Sequence, residues 1–292
     1  MIQIIQVLIL GLSLGGVYAL MSSGMTLIFG VMRIVNLAHS AFIIMAAYIS
    51  FWLFKLWKVD PIASMIVTIP VMFVVGVVYY RMMFASRADS PRFTDITVLV
   101  TFASALVIEG VLSYFFTGIY RSTNPVYATR PFLVGPFFMP QSQVYATVIS
   151  VTLILSLWLF LRYTRVGNAI RATMQNRNSA QVVGVNVAWV SMLSFGIGLA
   201  MAGAAGSLLS FIFTFFPSKH VAWIGMLMSL VVLGGMGSLI GAMLSSFLLA
   251  VIASFVTFYF GPSWAPITFY LALFLILLFR PQGLLGAQKA DG

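Results

Sequence analysis

Long charge-poor apolar runs limit this chain more tightly than any other feature. Runs near 5–29, 34–54, 62–84, 96–117, 143–161, 191–215, 242–260 and 264–279 approach or exceed the roughly 20 helical residues that cross a bilayer core of about 30 Å. Between them, Val221 to Leu233 is short for a span, and Gly234, Gly235, Gly237, Ser238 and Gly241 interrupt the sequence behind it. The count is nine crossings, or eight if the short piece is a broken or re-entrant helix. The expected fold class is all-α: a polytopic membrane helix bundle in which residues 1–292 form a single transmembrane domain.

Composition agrees. Of 292 residues 62% are hydrophobic and 7% charged, whereas soluble domains carry about a quarter charged residues. Fifteen Lys and Arg against five acids give a formal charge of +10, which membrane proteins collect in inner loops, so nucleic acid is not an expected partner. Cysteine is absent, which excludes disulfides, thiol catalysis and thiolate metal sites. Met1 to Gln6 lacks a basic n-region and membrane sequence continues past Gly30, so a cleaved signal peptide is not expected.

Arginine and lysine in short connections set the orientation. Arg81, Arg87 and Arg92, then Arg162, Arg165, Arg171 and Arg177, then Arg280 and Lys289 mark three inner segments. The 118–142 connection, with Arg121 and Arg130, and the 216–222 connection, with Lys219, fall outside. The N-terminus is then outside and the C-terminus inside, which takes nine crossings. Pro125, Pro131, Pro136 and Pro140 prevent 118–142 from being one helix; a short hairpin cap over the outer mouth and an unstructured linker both fit.

Enzymatic chemistry has few residues to work with. His39 and His220 are the only histidines, and Asp60, Asp89, Asp95, Glu109 and Asp291 the only acids, so neither a metal-spaced cluster nor a histidine–acid pair can be read. No G-x-x-x-x-G-K phosphate loop is present. No catalytic, metal or cofactor-binding residue is assigned, and any ATP used is bound by another chain.

Small residues recur at four-residue spacing: Gly11 and Gly15; Gly198, Ala202 and Gly206; Gly237, Gly241 and Ser245, with Gly234 just before the last set. Such stripes let helices approach closely in lipid, within this chain or against a second subunit. At the start of the second run, Asn36, His39 and Ser40 stand at i, i+3 and i+4, on one face if helical. Polar groups at this depth are functional candidates. A break over Gly30 to Arg33 would leave a helix N-terminus pointing into the protein, where the dipole favours a carboxylate; interhelical hydrogen bonding is the competing role. Glu109, the one acid well inside a run, fits either a proton or cation site or a structural carboxyl near the outer end of its helix.

The inner segment 162–190 reads as two short helices, one through Asn168 to Gln175 and one after an Asn178 cap that ends at Gly184. Ile170 and Met174 form an apolar ridge on an otherwise polar loop, which must dock on another protein or on this chain's own helix ends.

Taken together these motifs resemble one family along nearly the whole chain: permease subunits of the branched-chain amino acid type of bacterial ABC importers. The resemblance rests on Gly15-Gly16-Val17-Tyr18-Ala19-Leu20, on Gly24 to Gly30 leading into Asn36-Leu37-Ala38-His39, and on Gly167-x-Ala169-x-Arg171-Ala172 followed by Gln175-Asn176, Ala180 and Gly184. Gly234-Gly235-Met236-Gly237-Ser238 and Arg280-Pro281-Gln282-Gly283-Leu284-Leu285-Gly286 complete the order. It implies a permease of the bacterial inner membrane with a homologous second permease, two cytoplasmic ATPases carrying ATP and Mg, and a soluble substrate-binding protein. Asn36, His39 and Ser40 become candidates for the translocation path. The loop at 164–186, with Arg165, Gly167, Ala169, Ile170, Arg171, Met174, Gln175, Asn176, Ala180 and Gly184, would be the ATPase-coupling element. Many members read Gly-Glu-Phe after the histidine where this chain has Ser40-Ala41-Phe42, which opens the substrate to other amino acids, short amides, urea or aromatic carboxylates.

Overall fold

A computed structural model describes residues 2–87, 93–280 and 282–285; Met1, Asp89, Arg92, Pro281, Gly286, Lys289 and Asp291, named above, lie outside them. Eleven α-helices and one hairpin follow in the order α1 (Ile2–Met32), α2 (His39–Trp57), α3 (Met65–Met83), α4 (Phe93–Phe116), β1 (Pro131–Val134), β2 (Phe137–Pro140), α5 (Gln141–Tyr163), α6 (Arg165–Gln175), α7 (Arg177–Val182), α8 (Val187–Ile212), α9 (His220–Gly234), α10 (Leu239–Phe260) and α11 (Ala265–Phe279). Nine helical segments among the described residues are long and apolar enough to cross a membrane. The stretch after residue 220 counts among them, because a 3-10 turn over Pro217–Lys219 lengthens α9 to 18 residues.

Helix α8 is the most enclosed span and α11 the least. Around α8 lie α1, α2 and α3, and α1 packs most extensively on α10. The glycine stripes make these approaches close. A methyl group on Gly11 or Gly15 would strike α10 at Val251 or Phe247, one on Gly198 would strike α1, and one on Gly206 would strike the Ile43 carbonyl and Ala46 of α2, while Ala202 between them is fully buried. Gly234 and Gly241 meet backbone to backbone where α9 and α10 touch, and Gly237, at φ +91°, rests on Gly30. These stripes therefore have partners inside this chain.

Hydroxyl groups tie α2, α3 and α8 near their outer ends. Ser50 pairs with Ser64 (2.7 Å) and Ser210 (3.3 Å), Thr68 with Ser207 (2.8 Å), and Thr123 of the outer segment with Ser210 (3.1 Å). Each hydroxyl satisfies another where water is excluded. The 118–142 segment takes the hairpin form, β1 antiparallel to β2 with Pro131 opposite Pro140. Gln6 clasps it from α1: its side-chain oxygen accepts from Phe138 N (2.9 Å) and its amide donates to Phe138 O (2.5 Å). Beside the hairpin the Tyr127 hydroxyl donates to Asp60 (3.0 Å), and burial together with that carboxylate pushes the phenol's pKa up, so it stays a donor.

Candidate functional site

Two regions carry the polar and irregular backbone, and the chain links them. The first is the beginning of the second span. Helix α1 ends at Met32, Arg33 takes a left-handed turn (φ +57°), and residues 33–38 then run back into the bundle without helix. The His39 Nε2 atom lies 3.1 Å from the Met21 carbonyl oxygen, eleven residues before the end of α1, so α2 starts about 16 Å inward along that helix, near mid-membrane. Non-helical backbone at such depth persists only when enclosed by protein. Here Ile34, Asn36 and Ala38 are buried, and Thr101 of α4 donates to the Val35 carbonyl (3.4 Å).

Asn36 lies outside the helix, which corrects the expectation that Asn36, His39 and Ser40 share a helical face. Its side-chain oxygen instead accepts from Ala38 N (3.1 Å), while His39 N donates to the Asn36 carbonyl (3.2 Å). This local turn outcompetes helical continuation, as asparagine side chains often do, and it delays the helix from residue 34 to 39. All three side chains are at most 1% exposed, and Asn36 Nδ2, His39 Nδ1 and Ser40 Oγ find no hydrogen-bond partner among the described residues. Their surroundings are close-packed: a methyl on Gly24 would meet both the His39 ring and the Gly198 carbonyl. Ala41, where many family members carry an acid, is fully buried.

The second region is the inner helix pair. Thr164 caps α6 by accepting from Gly167 N (2.9 Å), so the helix starts three residues earlier than the sequence indicated. Asn176, not Asn178, caps α7, accepting from Ser179 N (3.0 Å), because Asn176 is extended and Asn178 already helical. Gly167 fits directly against Phe160 and Leu161 of α5. The Ile170 and Met174 ridge docks on this chain's own helices: Ile170 is fully buried, and the Met174 methyl reaches Gly30 of α1. Ala180 is buried as well, whereas Arg165, Arg171, Gln175 and Asn176 are exposed and Ala169 is half-buried. Arg171 donates to Asn168 (2.6 Å). Gly184 closes the pair at φ +87°. Val182 and Val183 just before it are 87% and 76% exposed, an apolar pair that none of the described residues covers.

Arg33 joins the two regions. Its guanidinium donates to the Met174 carbonyl at the end of α6 (3.2 Å), from the residue that begins the buried non-helical stretch. Sequence reasoning noticed Arg33 only as a break, since its partner lies 141 residues away. It also missed a histidine–acid pair: His220 Nε2 at the start of α9 stands 2.9 Å from Glu109 Oε2 on α4, with the histidine buried and the carboxylate partly exposed. A separation of 111 residues leaves no spacing to read.

A many-span bundle with a helix beginning at mid-depth, closed off by its own neighbours, is the architecture of a membrane transport protein. The family model for the branched-chain amino acid transport system permease component matches residues 7–279, and the chain belongs to that family as a multi-pass permease of the inner membrane. It is 28% identical to the high-affinity branched-chain amino acid transport system permease protein BraD of Pseudomonas aeruginosa, over 98% of this chain and 97% of that one. Similarity to the LivH permease proteins is comparable, at 26% identity with Escherichia coli LivH over 96% of this chain and 95% of the relative. A probable LivH of Methanocaldococcus jannaschii is 26% identical over 92% and 88%. Among solved structures, PsaBC from Streptococcus pneumoniae in complex with Fab covers 94% of this chain and 91% of that chain at a TM-score of 0.47 and 13% identity.

Proposed function

We propose that this permease gives a small polar solute, an amino acid or a related carboxylate or amide, its path across the membrane in an ATP-driven importer. In this reading a homologous second permease completes the path, two cytoplasmic ATPases bind and hydrolyse ATP with Mg, and a soluble binding protein delivers the solute. The observation that carries it is the inner helix pair. Its apolar ridge is already seated on this chain, yet Val182 and Val183 at the end of α7 remain uncovered among the described residues, as a partner-docking tip would be. Asn36, His39 and Ser40 act as a gate rather than an open wall, since they are sealed in this conformation. The relatives' names specify branched-chain amino acids for those proteins; Ala41 in place of the frequent acid keeps the solute of this chain broader.

The test is reconstitution of the permease with ATPase subunits of a branched-chain amino acid type importer. Substrate with its binding protein should stimulate ATP hydrolysis, and Val182→Asp with Val183→Asp should abolish both stimulation and uptake while the complex still folds. Unchanged coupling in that double variant would remove the loop from the mechanism. A second reading has one observation behind it, the Glu109 and His220 pair, which a gradient-driven carrier could use to take up a proton. Uptake that persists without ATPases and collapses with an uncoupler would favour it.

A further inference from the structure

At the outer ends of α2 and α4, positive charge collects over a groove whose walls are wholly apolar. Arginine and lysine favour the inner side of a membrane protein, yet Lys55 and Lys58 close α2 and Arg121 follows α4 on the outer side. Two of these cations sit on one aromatic pair. The Lys55 ammonium is 5.0 Å and the Arg121 guanidinium 5.6 Å from the centre of the Trp52 ring, and they stand 6.0 and 5.3 Å from that of Phe51. Arg121 is fixed in place by its backbone, which exchanges both hydrogen bonds with Phe215 (2.9 Å each), and its guanidinium donates to the Phe116 carbonyl at the end of α4 (2.9 Å). No acid pairs with either cation among the described residues. Asp60, close by in sequence, accepts from Ile62 N (2.8 Å) and the Tyr127 hydroxyl, and Glu109 is engaged by His220. Each of the two helix C-termini adds roughly half a negative charge, so the three cations, Asp60 and these ends leave about one positive charge over.

The groove itself runs between α2 and α4 on the perimeter of the bundle, with a volume of ≈ 340 Å³. Met45, Tyr48, Trp52 and Leu56 of α2 and Leu112 and Phe116 of α4 line it. Trp52 and Phe116 therefore belong both to the groove and to the charged corner above it. The Tyr48 hydroxyl and the Trp52 indole N–H are buried away from the opening, so the walls offer no hydrogen bond. Met45 to Leu56 covers about 16 Å of helix, the depth of one leaflet in a bilayer core of about 30 Å. Room for one acyl chain under a surplus positive charge fits an amphiphilic anion. A zwitterion brings no net charge to the surplus, and a small polar solute loses hydration against these walls without replacement bonds. We propose that this corner binds one anionic glycerophospholipid of the outer leaflet, its phosphodiester on Lys55, Lys58 and Arg121 and one acyl chain between α2 and α4. The lipid braces the outer end of the helix whose other end carries the gate. Its binding does not rest on the importer reading.

Binding is measured by native mass spectrometry of the full-length permease in detergent, titrated with palmitoyl-oleoyl phosphatidylglycerol or with the matching phosphatidylcholine. One phosphatidylglycerol should be retained at concentrations at least tenfold below those that phosphatidylcholine needs. Lys55→Gln, at an exposed position, should weaken phosphatidylglycerol about fivefold, the effect of one cation near anionic lipid, and leave phosphatidylcholine unchanged. Ile49→Trp, which fills the groove from a half-buried position, should abolish retention. The comparison of the two lipids uses unaltered protein and decides the charge requirement even if a variant unfolds. Equal retention of both lipids overturns the proposal and leaves these cations and rings as ordinary anchors at the membrane surface. So does phosphatidylglycerol binding that is unchanged in either folded variant, which would put the lipid elsewhere, as on the inner arginines. Disulfide formation between two copies carrying Ile49→Cys, in a chain without native cysteine, would overturn it too, because a second copy would then cover the groove.

Discussion

His39 shows how little of a polar residue's role is fixed by its type. A histidine in an apolar run is compatible with a solute contact or with glue, and its Nε2 bond to Met21 makes it the fastening of a helix start. His39→Ala should therefore lower the thermal midpoint of the purified permease, since a buried hydrogen bond is lost and a cavity is left, at a combined cost of about 2–4 kcal/mol. Normal stability with lost turnover would instead assign the ring to the solute. Gly241 is constrained by space alone. A methyl there meets the Gly234 carbonyl, so Gly241→Ala should cost about 1–3 kcal/mol as overpacking, read as reduced yield and earlier unfolding. Glu109→Gln keeps a hydrogen-bonding group facing His220 and should change stability by less than about 1 kcal/mol, because side-chain hydrogen bonds within membranes average about 0.6 kcal/mol. ATP-driven uptake should survive it.

At the scale of elements, the late beginning of α2 is the feature with mechanical content. Cysteines introduced at 36, 39 and 40 replace side chains at most 1% exposed, whereas Leu37 beside them is half-buried. In the resting permease a small polar thiol reagent should modify position 37 first. Positions 36, 39 and 40 should react only during ATP turnover in the assembled complex, and protection at all three under turnover would make the segment permanent packing. The chain has no native cysteine to confuse the result. The spans themselves were legible because about twenty apolar residues can do little else in lipid. The start of α2 was not, since Asn36, His39 and Ser40 have spacing that suits a helix, and only the turn closed by the Asn36 side chain decides otherwise. Asn176 and Asn178 are equally good caps on paper, and the choice falls to the exit geometry of α6. The hairpin over 131–140 was half legible: prolines excluded a helix, but the Gln6 clasp that holds it comes from the other end of the sequence.

For the whole molecule, the bond from Arg33 to Met174 ties the inner helix pair to the stretch that leads into the buried start of α2. Arg33→Ala should leave assembly intact and reduce the number of solute molecules moved per ATP, measured as uptake against hydrolysis in the same vesicles; an unchanged ratio would show that this link transmits nothing. Another long-range feature bears on how the molecule is made. The first helix finds its largest partner in α10, which begins at Leu239. A ribosome adding roughly 5–20 residues per second needs about 10–50 s to produce the intervening chain. Throughout that interval the Gly11 and Gly15 notch faces lipid, or whatever escort the insertion machinery supplies, with its eventual occupant not yet synthesised. A nascent chain arrested before residue 239 should consequently be cleared by membrane proteases much faster than one arrested after 260.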